Sequence, residues 1–172
     1  MSTTPTQGTD LADEHVERWA RLFTDEDGFD REVEGALVRM DKMIQLSDGR
    51  LRDLLSDDPL SHEEFKTLHH LLGSDDQGKA ATPAQLADRV GITRAGMTSR
   101  IDRLVARGMV TRREDPDDRR SILIEATPAG REAWDRVVHD WAAQEKALFR
   151  GLTITEITRL NALLRKAFLA HD

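Results

Sequence analysis

Residues 82–108 read TPAQLADRVGITRAGMTSRIDRLVARG, and most of the fold can be predicted outward from this stretch. Thr82 opens a capping box with proline at the first helical position, which predicts a short helix that ends at Gly91. A second helix is predicted to begin near Thr93 and to end at Gly108. Its apolar residues recur on one face, at Met97, Ile101, Leu104 and Val105. Two short helices joined by a tight turn are typical of a helix-turn-helix unit.

The periodicity of the sequence changes after Gly108. Residues 109–113 and 121–125 are rich in β-branched side chains, which favours strands. The polar segment between them contains Pro116, a residue that favours turns. We therefore expect a β-hairpin with a long charged tip. The predicted fold class is mainly α with a small β-hairpin wing, a winged helix-turn-helix domain flanked by further helices.

The second helix carries a face that suits the major groove of DNA, because small and hydrogen-bonding side chains lie opposite its apolar stripe. The candidate DNA-binding residues on this face are Thr93, Arg94, Ala95, Thr98, Ser99, Arg100 and Arg103. Arg94 lies on the first turn, where its guanidinium can form two hydrogen bonds to guanine, whereas Arg100 and Arg103 suit phosphates. The alternative is a solvated face without a ligand, in which Asp102 and Arg103 form surface ion pairs.

The tip of the expected hairpin combines acidic and basic residues, namely Asp115, Asp117, Asp118, Arg119 and Arg120. This pattern predicts an aspartate that holds an arginine rigid, in contrast to a simple basic patch, and such an arginine suits a narrow, negative minor groove. The candidate wing contacts are Asp118, Arg119 and Arg120. An alternative is a nuclease-like enzyme that binds Mg²⁺ through the three carboxylates. A hairpin tip with adjacent arginines is a poor cage for a cation that demands near-ideal octahedral oxygen ligands.

Helices are predicted on both sides of the winged segment. The predicted organisation is a disordered arm at 1–10, N-terminal helices at 11–60, a winged DNA-binding domain at 61–128 and C-terminal helices at 129–172. The outer segments hold large apolar side chains at Trp19, Phe23, Trp134, Trp141 and Phe168. A domain this small cannot cover so much apolar surface alone, so both outer segments are expected to form a dimer interface. The alternative is that the C-terminal helices pack only on their own winged domain.

The composition excludes several classes of protein. The 172 residues include no cysteine, which excludes disulfide scaffolds, zinc sites with cysteine ligands and thiol chemistry. No apolar run approaches the roughly 18–20 residues that span a bilayer. Residues 1–10 lack an apolar segment of the signal-peptide type, so a cytoplasmic protein without a membrane partner is expected. The net charge of −7 does not exclude nucleic acid, because binding depends on local potential.

Four segments resemble the MarR family of transcription regulators: LADRVGIT at 86–93, MTSRIDRLVARGMV at 97–110, DPDDRRS at 115–121 and ATPAG at 126–130. The similarity covers roughly residues 30–170. It implies an obligate homodimer whose wing carries an Asp-x-Arg unit, matched here by Asp118 and Arg120, with the arginine in the minor groove. The usual Leu-Thr after the wing reads Ala126-Thr127 in this chain. This departure is expected to affect packing more than DNA binding.

The resemblance also implies a small-molecule switch, since many members of the family release DNA when they bind a phenolic or other aromatic anion. Trp19 on an additional N-terminal helix looks like the arrangement in urate-responsive members, with Asp48 and Arg50 as candidate charged partners. The alternative is that Trp19 anchors the dimer core. A zinc site is disfavoured because the adjacent histidines point to different helix faces, and no metal or other cofactor is expected. The residues considered for zinc are His62, Glu63, His69 and His70.

The function predicted from these features is sequence-specific DNA binding by a transcriptional regulator without catalytic residues. We expect a homodimeric repressor that binds an inverted-repeat operator in double-stranded DNA and is released by a small aromatic or phenolic anion. The alternatives are a winged-helix adaptor between proteins and a DNA-binding protein that responds to no ligand. An adaptor is expected to lack the arginines of the second helix and of the wing, and all of them are present here.

Overall fold

In the computed structural model, seven helices and a two-stranded sheet make up the described part of the chain, which comprises residues 8–24, 28–73, 80–118 and 120–171. The helices are α1 (Leu11–Ala20), α2 (Arg31–Leu54), α3 (His62–Leu72), α4 (Pro83–Val90), α5 (Arg94–Ala106), α6 (Pro128–Leu148) and α7 (Ile154–Phe168). The strands are β1 (Val110–Glu114) and β2 (Ile122–Ala126), which pair antiparallel. The predicted fold class is confirmed. No helix in these ranges is long and apolar enough to cross a membrane.

Local capping interactions explain why most of the helices begin where they do. The side chains of Ser61, Thr82 and Thr153 each accept a hydrogen bond from a backbone N–H three residues later, in a reciprocal capping box. Thr93 and Thr127 cap α5 and α6 with the same side-chain hydrogen bond, but α5 and α6 begin without the reciprocal bond of a capping box. Each cap satisfies a backbone donor that the first turn of a helix leaves unpaired. Because these signals are local, the starts of the helices could be predicted from the sequence.

The chain divides into two compact units, residues 1–48 and 49–172. In the first unit, Val16 of α1 is buried and Arg39 of α2 forms ion pairs with the start of α1. The Arg39 Nε atom lies 2.9 Å from Asp10 Oδ2, and its Nη2 atom lies 2.6 Å from Asp13 Oδ1. Helix α2 continues through Gly49 to Leu54, an end that could not be assigned from the sequence because a glycine lies within the helical pattern.

The second unit is built on one hydrophobic core beneath the winged region. Its largest fully buried side chains are Leu51, Leu60, Phe65, Leu68, Leu71, Leu86, Met97, Ile101, Leu104, Val110 and Ile124. Helix α6 adds Ala133 and Val137 to this core. The core therefore holds α3, α4, α5, the hairpin and α6 together as the support of the predicted DNA-binding face.

The strands differ from the prediction by one residue. They run over 110–114 and 122–126, with Val110 opposite Ala126, whereas the sequence predicted 109–113 and 121–125. Met109 is excluded because its backbone groups bond elsewhere: its N–H donates to Leu104 O (2.9 Å), and its carbonyl accepts from Thr127 N (3.0 Å).

A short β-bridge, which the sequence analysis missed, links the start of α4 to the hairpin. Ala81 N donates to Ile124 O at 3.1 Å, and Ile124 N donates to Ala81 O at 2.9 Å. The bridge joins strand β2 to the residue that precedes the cap of α4. The hairpin is thereby fixed to the helix-turn-helix on the side opposite its free edge.

Candidate nucleic-acid interface

Helix α5 has one buried face and one exposed face. Met97, Ile101 and Leu104 have no exposed surface and pack in the core. Of the predicted DNA-binding residues, Thr93, Arg94, Ala95, Thr98, Ser99 and Arg103 are exposed, and Arg100 is half-buried. The structure therefore brings all seven residues together on the outer side of α5. Whether they contact DNA stays a prediction.

The turn between α4 and α5 depends on a glycine. Gly91 has φ +74°, a left-handed conformation that residues with a Cβ adopt only at a cost in free energy. Its N–H donates to Ala87 O at 2.9 Å and ends α4. Thr93 then caps α5 through a hydrogen bond from Gly96 N at 3.2 Å. This short connection sets the angle at which the N-terminus of α5 projects.

The arginines of the winged region fall into two groups according to their partners. Arg107, Arg112 and Arg113 each form an ion pair with a carboxylate of this chain. Among the described residues, Arg94, Arg100 and Arg103 form no ion pair. These three arginines therefore place positive charge without a carboxylate partner on α5, on the face predicted to meet DNA.

Ion pairs fix the wing, residues 110–126, against α5. Asp102 accepts a hydrogen bond of 2.5 Å from Arg112 Nη2 on β1. In the alternative considered from the sequence, Asp102 and Arg103 form surface ion pairs; Asp102 does so with Arg112, whereas Arg103 donates to Ser99 Oγ at 3.1 Å. Within the wing, Arg113 on β1 pairs with Glu125 on β2 at 2.6 Å. These contacts orient the hairpin with respect to α5.

At the wing tip, Asp118 holds the backbone of the turn. Its Oδ1 atom accepts from Arg120 N at 3.0 Å, and its Oδ2 atom accepts from Ser121 Oγ at 3.0 Å. Asp118 therefore holds Arg120 through the backbone amide, whereas the sequence did not indicate which group of the arginine is held. The exposed side chain of Arg120 is left to point away from a rigid turn. Arg119 lies outside the described residues.

The residues predicted to bind an effector lie on α1 and α2. Trp19 is 43% exposed, and its ring stacks on Phe23 with centroids 6.3 Å apart. Asp48 and Arg50 lie in α2, and Arg50 Nη1 donates to Gln144 O at 3.0 Å. The effector site remains a prediction.

Two of the three histidines considered for zinc, His69 and His70, belong to an aromatic cluster on α3 and α6, whereas His62 lies 3.7 Å from its neighbour Glu63. His69 Nδ1 accepts a hydrogen bond from Trp134 Nε1 at 3.2 Å, and its ring meets Trp141 edge-on with centroids 4.8 Å apart. Within the described ranges, no group of three or more His, Asp or Glu side chains is arranged to hold a metal ion. Burial, followed by the charge of neighbouring His70, lowers the pKa of His69, so its neutral form is favoured.

Known proteins similar to this chain share its winged helix-turn-helix fold. A family model described as MarR family matches residues 59–121. The HTH-type transcriptional regulator PecS of Dickeya dadantii is 32% identical over 149 residues, which cover 87% of each chain. A mutant of MarR from Escherichia coli, solved in complex with operator DNA, has a TM-score of 0.64 and 25% identity, covering 92% of this chain and 99% of that one.

A third similar protein is Bordetella bronchiseptica BpsR, whose structure describes regulation of DNA binding by 6-hydroxynicotinic acid. It has a TM-score of 0.61 and 30% identity, and the match covers 77% of this chain and 91% of that chain. PecS is, by its name, a transcriptional regulator with a helix-turn-helix. With its winged fold, its uncompensated arginines on α5 and these similarities, the chain belongs to the MarR family of DNA-binding transcriptional regulators.

Proposed function

We propose that the protein is a homodimeric repressor that binds an inverted-repeat operator. Helix α5 enters the major groove, and Arg120 at the wing tip reaches the adjacent minor groove. The observation that carries this proposal is the cluster of Arg94, Arg100 and Arg103 without carboxylate partners, next to a wing fixed by Asp102 and Arg112. The operator complex of the related MarR supports it.

Dimerisation is supported by the state of α7. No residue of this amphipathic helix is buried. Its exposed apolar side chains include Ile154 (76%), Leu163 (58%), Leu164 (40%) and Phe168 (70%). Isolated helices of this length are marginal in water unless their apolar face is covered. We therefore assign residues 129–172, together with the helices of 11–60, to the dimer interface.

Repression follows from occupancy, because a dimer on a promoter blocks polymerase. An effector that favours a dimer geometry unable to bind DNA by about 1–3 kcal/mol lowers operator affinity by about 5–150-fold. The regulation of BpsR by 6-hydroxynicotinic acid supports an aromatic anion as the effector class. Trp19, Asp48 and Arg50 are the candidate residues for that site. The target is chromosomal DNA, so the site of action is the bacterial nucleoid in the cytoplasm.

The operator proposal is tested by selecting bound fragments from a library of the source genome at physiological salt. We expect recovery of a short inverted repeat whose half-sites lie about one helical turn apart. Fragments without a shared sequence would contradict specific regulation and would favour non-specific DNA binding.

The effector proposal is tested separately by titrating urate or a phenolate into the protein while tryptophan fluorescence is recorded. We expect quenching that is lost in Trp19→Phe and retained in Trp134→Phe, because the latter ring packs on His69 in the core. No quenching in the unmodified protein, or equal quenching in both variants, would exclude Trp19 as the effector contact.

A further inference from the structure

Arg107, the C-terminal cap of α5, differs from Arg112 and Arg113 because its carboxylate partner is buried. Its Nη1 atom donates to Glu64 Oε2 at 2.5 Å, and its Nη2 atom donates to the Pro59 carbonyl at 2.7 Å. One guanidinium therefore joins the end of α5 to the start of α3 and to the loop that follows α2.

Glu64 is a buried carboxylate, with 5% of its side chain exposed. The same Oε2 atom accepts from Ser61 N at 2.9 Å, and Ser61 Oγ accepts from Glu64 N at 3.3 Å. Burial alone raises the pKa of Glu64, but the hydrogen bonds from Ser61 and then Arg107 outweigh it and leave the pKa below its usual value. The carboxylate is therefore charged at neutral pH.

This contact fixes the end of α5 that the turn at Gly91 does not reach. The N-terminus of α5 is set by Gly91 and Thr93, and its C-terminus is set by the Arg107–Glu64 pair. A helix restrained at both ends has little freedom to tilt. Hydrogen bonds to base edges depend on such alignment far more than do interactions with phosphates, which carry no sequence information.

We propose that Arg107 and Glu64 are positioning residues for operator recognition: they align α5 so that it discriminates the operator from other DNA, and neither side chain contacts DNA. The inference rests on the proposed operator binding. The alternative is that Arg107 contacts phosphate, the role expected for Arg100 and Arg103. The two roles differ in measurable ways, because a phosphate contact contributes to the salt dependence of binding and a positioning contact does not.

The test measures dissociation constants of the full-length protein for the selected operator and for a scrambled duplex over a range of salt concentrations. For Arg107→Gln and for Glu64→Gln we expect about tenfold weaker operator binding, equivalent to about 1.4 kcal/mol. Binding to the scrambled duplex and the salt slope should stay unchanged. The double variant should bind the operator no more weakly than Arg107→Gln, because that change already removes the contact with Glu64.

Two further variants make the result decisive. Arg103→Gln is the control for a phosphate contact, and it should weaken binding to both duplexes and reduce the salt slope by about 0.9 for each protomer bound, or about 1.8 for a dimer. Arg107→Lys keeps a cation beside Glu64, but a lysine cannot reproduce both hydrogen bonds of the planar guanidinium. We therefore expect Arg107→Lys to discriminate the operator from the scrambled duplex better than Arg107→Gln and less well than the unmodified protein. It also provides a folded comparison if Arg107→Gln lowers the thermal unfolding temperature.

A reduced salt slope in Arg107→Gln, with equal losses on both duplexes, would overturn the inference in favour of a phosphate contact. Unchanged operator binding in Arg107→Gln and Glu64→Gln would show that the pair has no positioning role. If the unmodified protein itself fails to distinguish the two duplexes, the proposed operator function fails, and the inference fails with it.

Discussion

At the scale of single residues, the arginines of the winged region separate into structural and recognition groups by their partners. Arg94 lies on the first turn of α5, is exposed and forms no ion pair among the described residues. One helical turn later, Thr98 donates its hydroxyl to the Arg94 carbonyl at 3.0 Å, a contact that does not involve the guanidinium. We infer that Arg94 reads a base and does not only contact phosphate.

We predict that Arg94→Ala relaxes base preference at one position in each half-site by about 1–3 kcal/mol. The measurement is a set of dissociation constants for operators with each base at every position. Arg100→Ala is the matched control, and it should weaken binding to all sequences alike. A uniform loss in Arg94→Ala would instead mean that Arg94 contacts phosphate only.

His69 gives a prediction about pH. Its folded-state pKa is lowered, so the unfolded chain takes up a proton first as the pH falls through the ordinary histidine value of about 6.5. The free energy of unfolding should therefore decrease from about pH 7.5 to about pH 5.5. The decrease should be smaller in His69→Gln, whose amide oxygen can still accept from Trp134 but does not titrate. Urea unfolding at several pH values measures this.

The control for the pH prediction is His139→Gln, because His139 is an exposed residue of α6. We expect its pH dependence to match that of the unmodified protein. If the stability of His69→Gln fell with pH as much as that of the unmodified protein, His69 would not be the cause of the pH dependence.

The partners of individual side chains are the features that are hardest to predict from the sequence. The exposed face of α5 could be predicted, because helical periodicity fixes which side chains share a face. The pairing of Arg107 could not be predicted, because its partner Glu64 lies 43 residues away in the chain. In the same way, Asp118 was correctly placed at the wing tip, but its bond to the Arg120 amide depends on the conformation of the turn.

At the scale of elements, helix starts were predicted well and strand limits less well. Capping at Ser61, Thr82 and Thr153 depends on residues within one turn. The limit of β1 depends instead on Met109, whose carbonyl accepts from Thr127 at the start of α6. Such a contact between elements has no local pattern in the sequence.

The same contact makes Gly130 of α6 a critical position. A Cβ at Gly130 would lie 2.1 Å from the Met109 carbonyl oxygen, far closer than atoms can approach. Alanine is the better helix former by about 1 kcal/mol, but the clash is with backbone that Thr127 holds in place. We predict that Gly130→Ala lowers the free energy of unfolding by about 1–3 kcal/mol, as measured by urea denaturation.

Gly49→Ala is the matched control for this prediction. A Cβ there meets nothing within 4 Å, so helix propensity alone should act and raise stability by about 0.5–1 kcal/mol. If Gly130→Ala were as stabilising as Gly49→Ala, the close approach of α6 to Met109 would be wrong.

At the scale of the whole molecule, the exposed apolar face of α7 requires a partner. The sequence predicted that Phe168 belongs to an apolar surface too large for one domain to cover, and the structure leaves Phe168 exposed on α7. The sequence could not show which surface covers it, because that depends on packing between chains. Our proposal that a second copy does so has a direct consequence for DNA binding.

We predict that Phe168→Asp shifts the protein from dimer to monomer, because it places a charge on the apolar face. Sedimentation velocity measures the shift, and operator affinity should fall with it, since each protomer binds only one half-site. Ala162→Asp adds the same charge on the opposite side of α7 and should leave the dimer intact. A dimeric Phe168→Asp variant would place the interface elsewhere.

A hydroxyl-radical footprint on the selected operator, compared between the unmodified protein and Arg120→Ala, tests operator recognition by α5 and the wing most directly. We expect two symmetric protected regions about one helical turn apart. In Arg120→Ala, protection in the minor groove beside each half-site should be lost while the dimer persists. Continuous protection without symmetry, or an identical footprint for Arg120→Ala, would contradict this mode of binding.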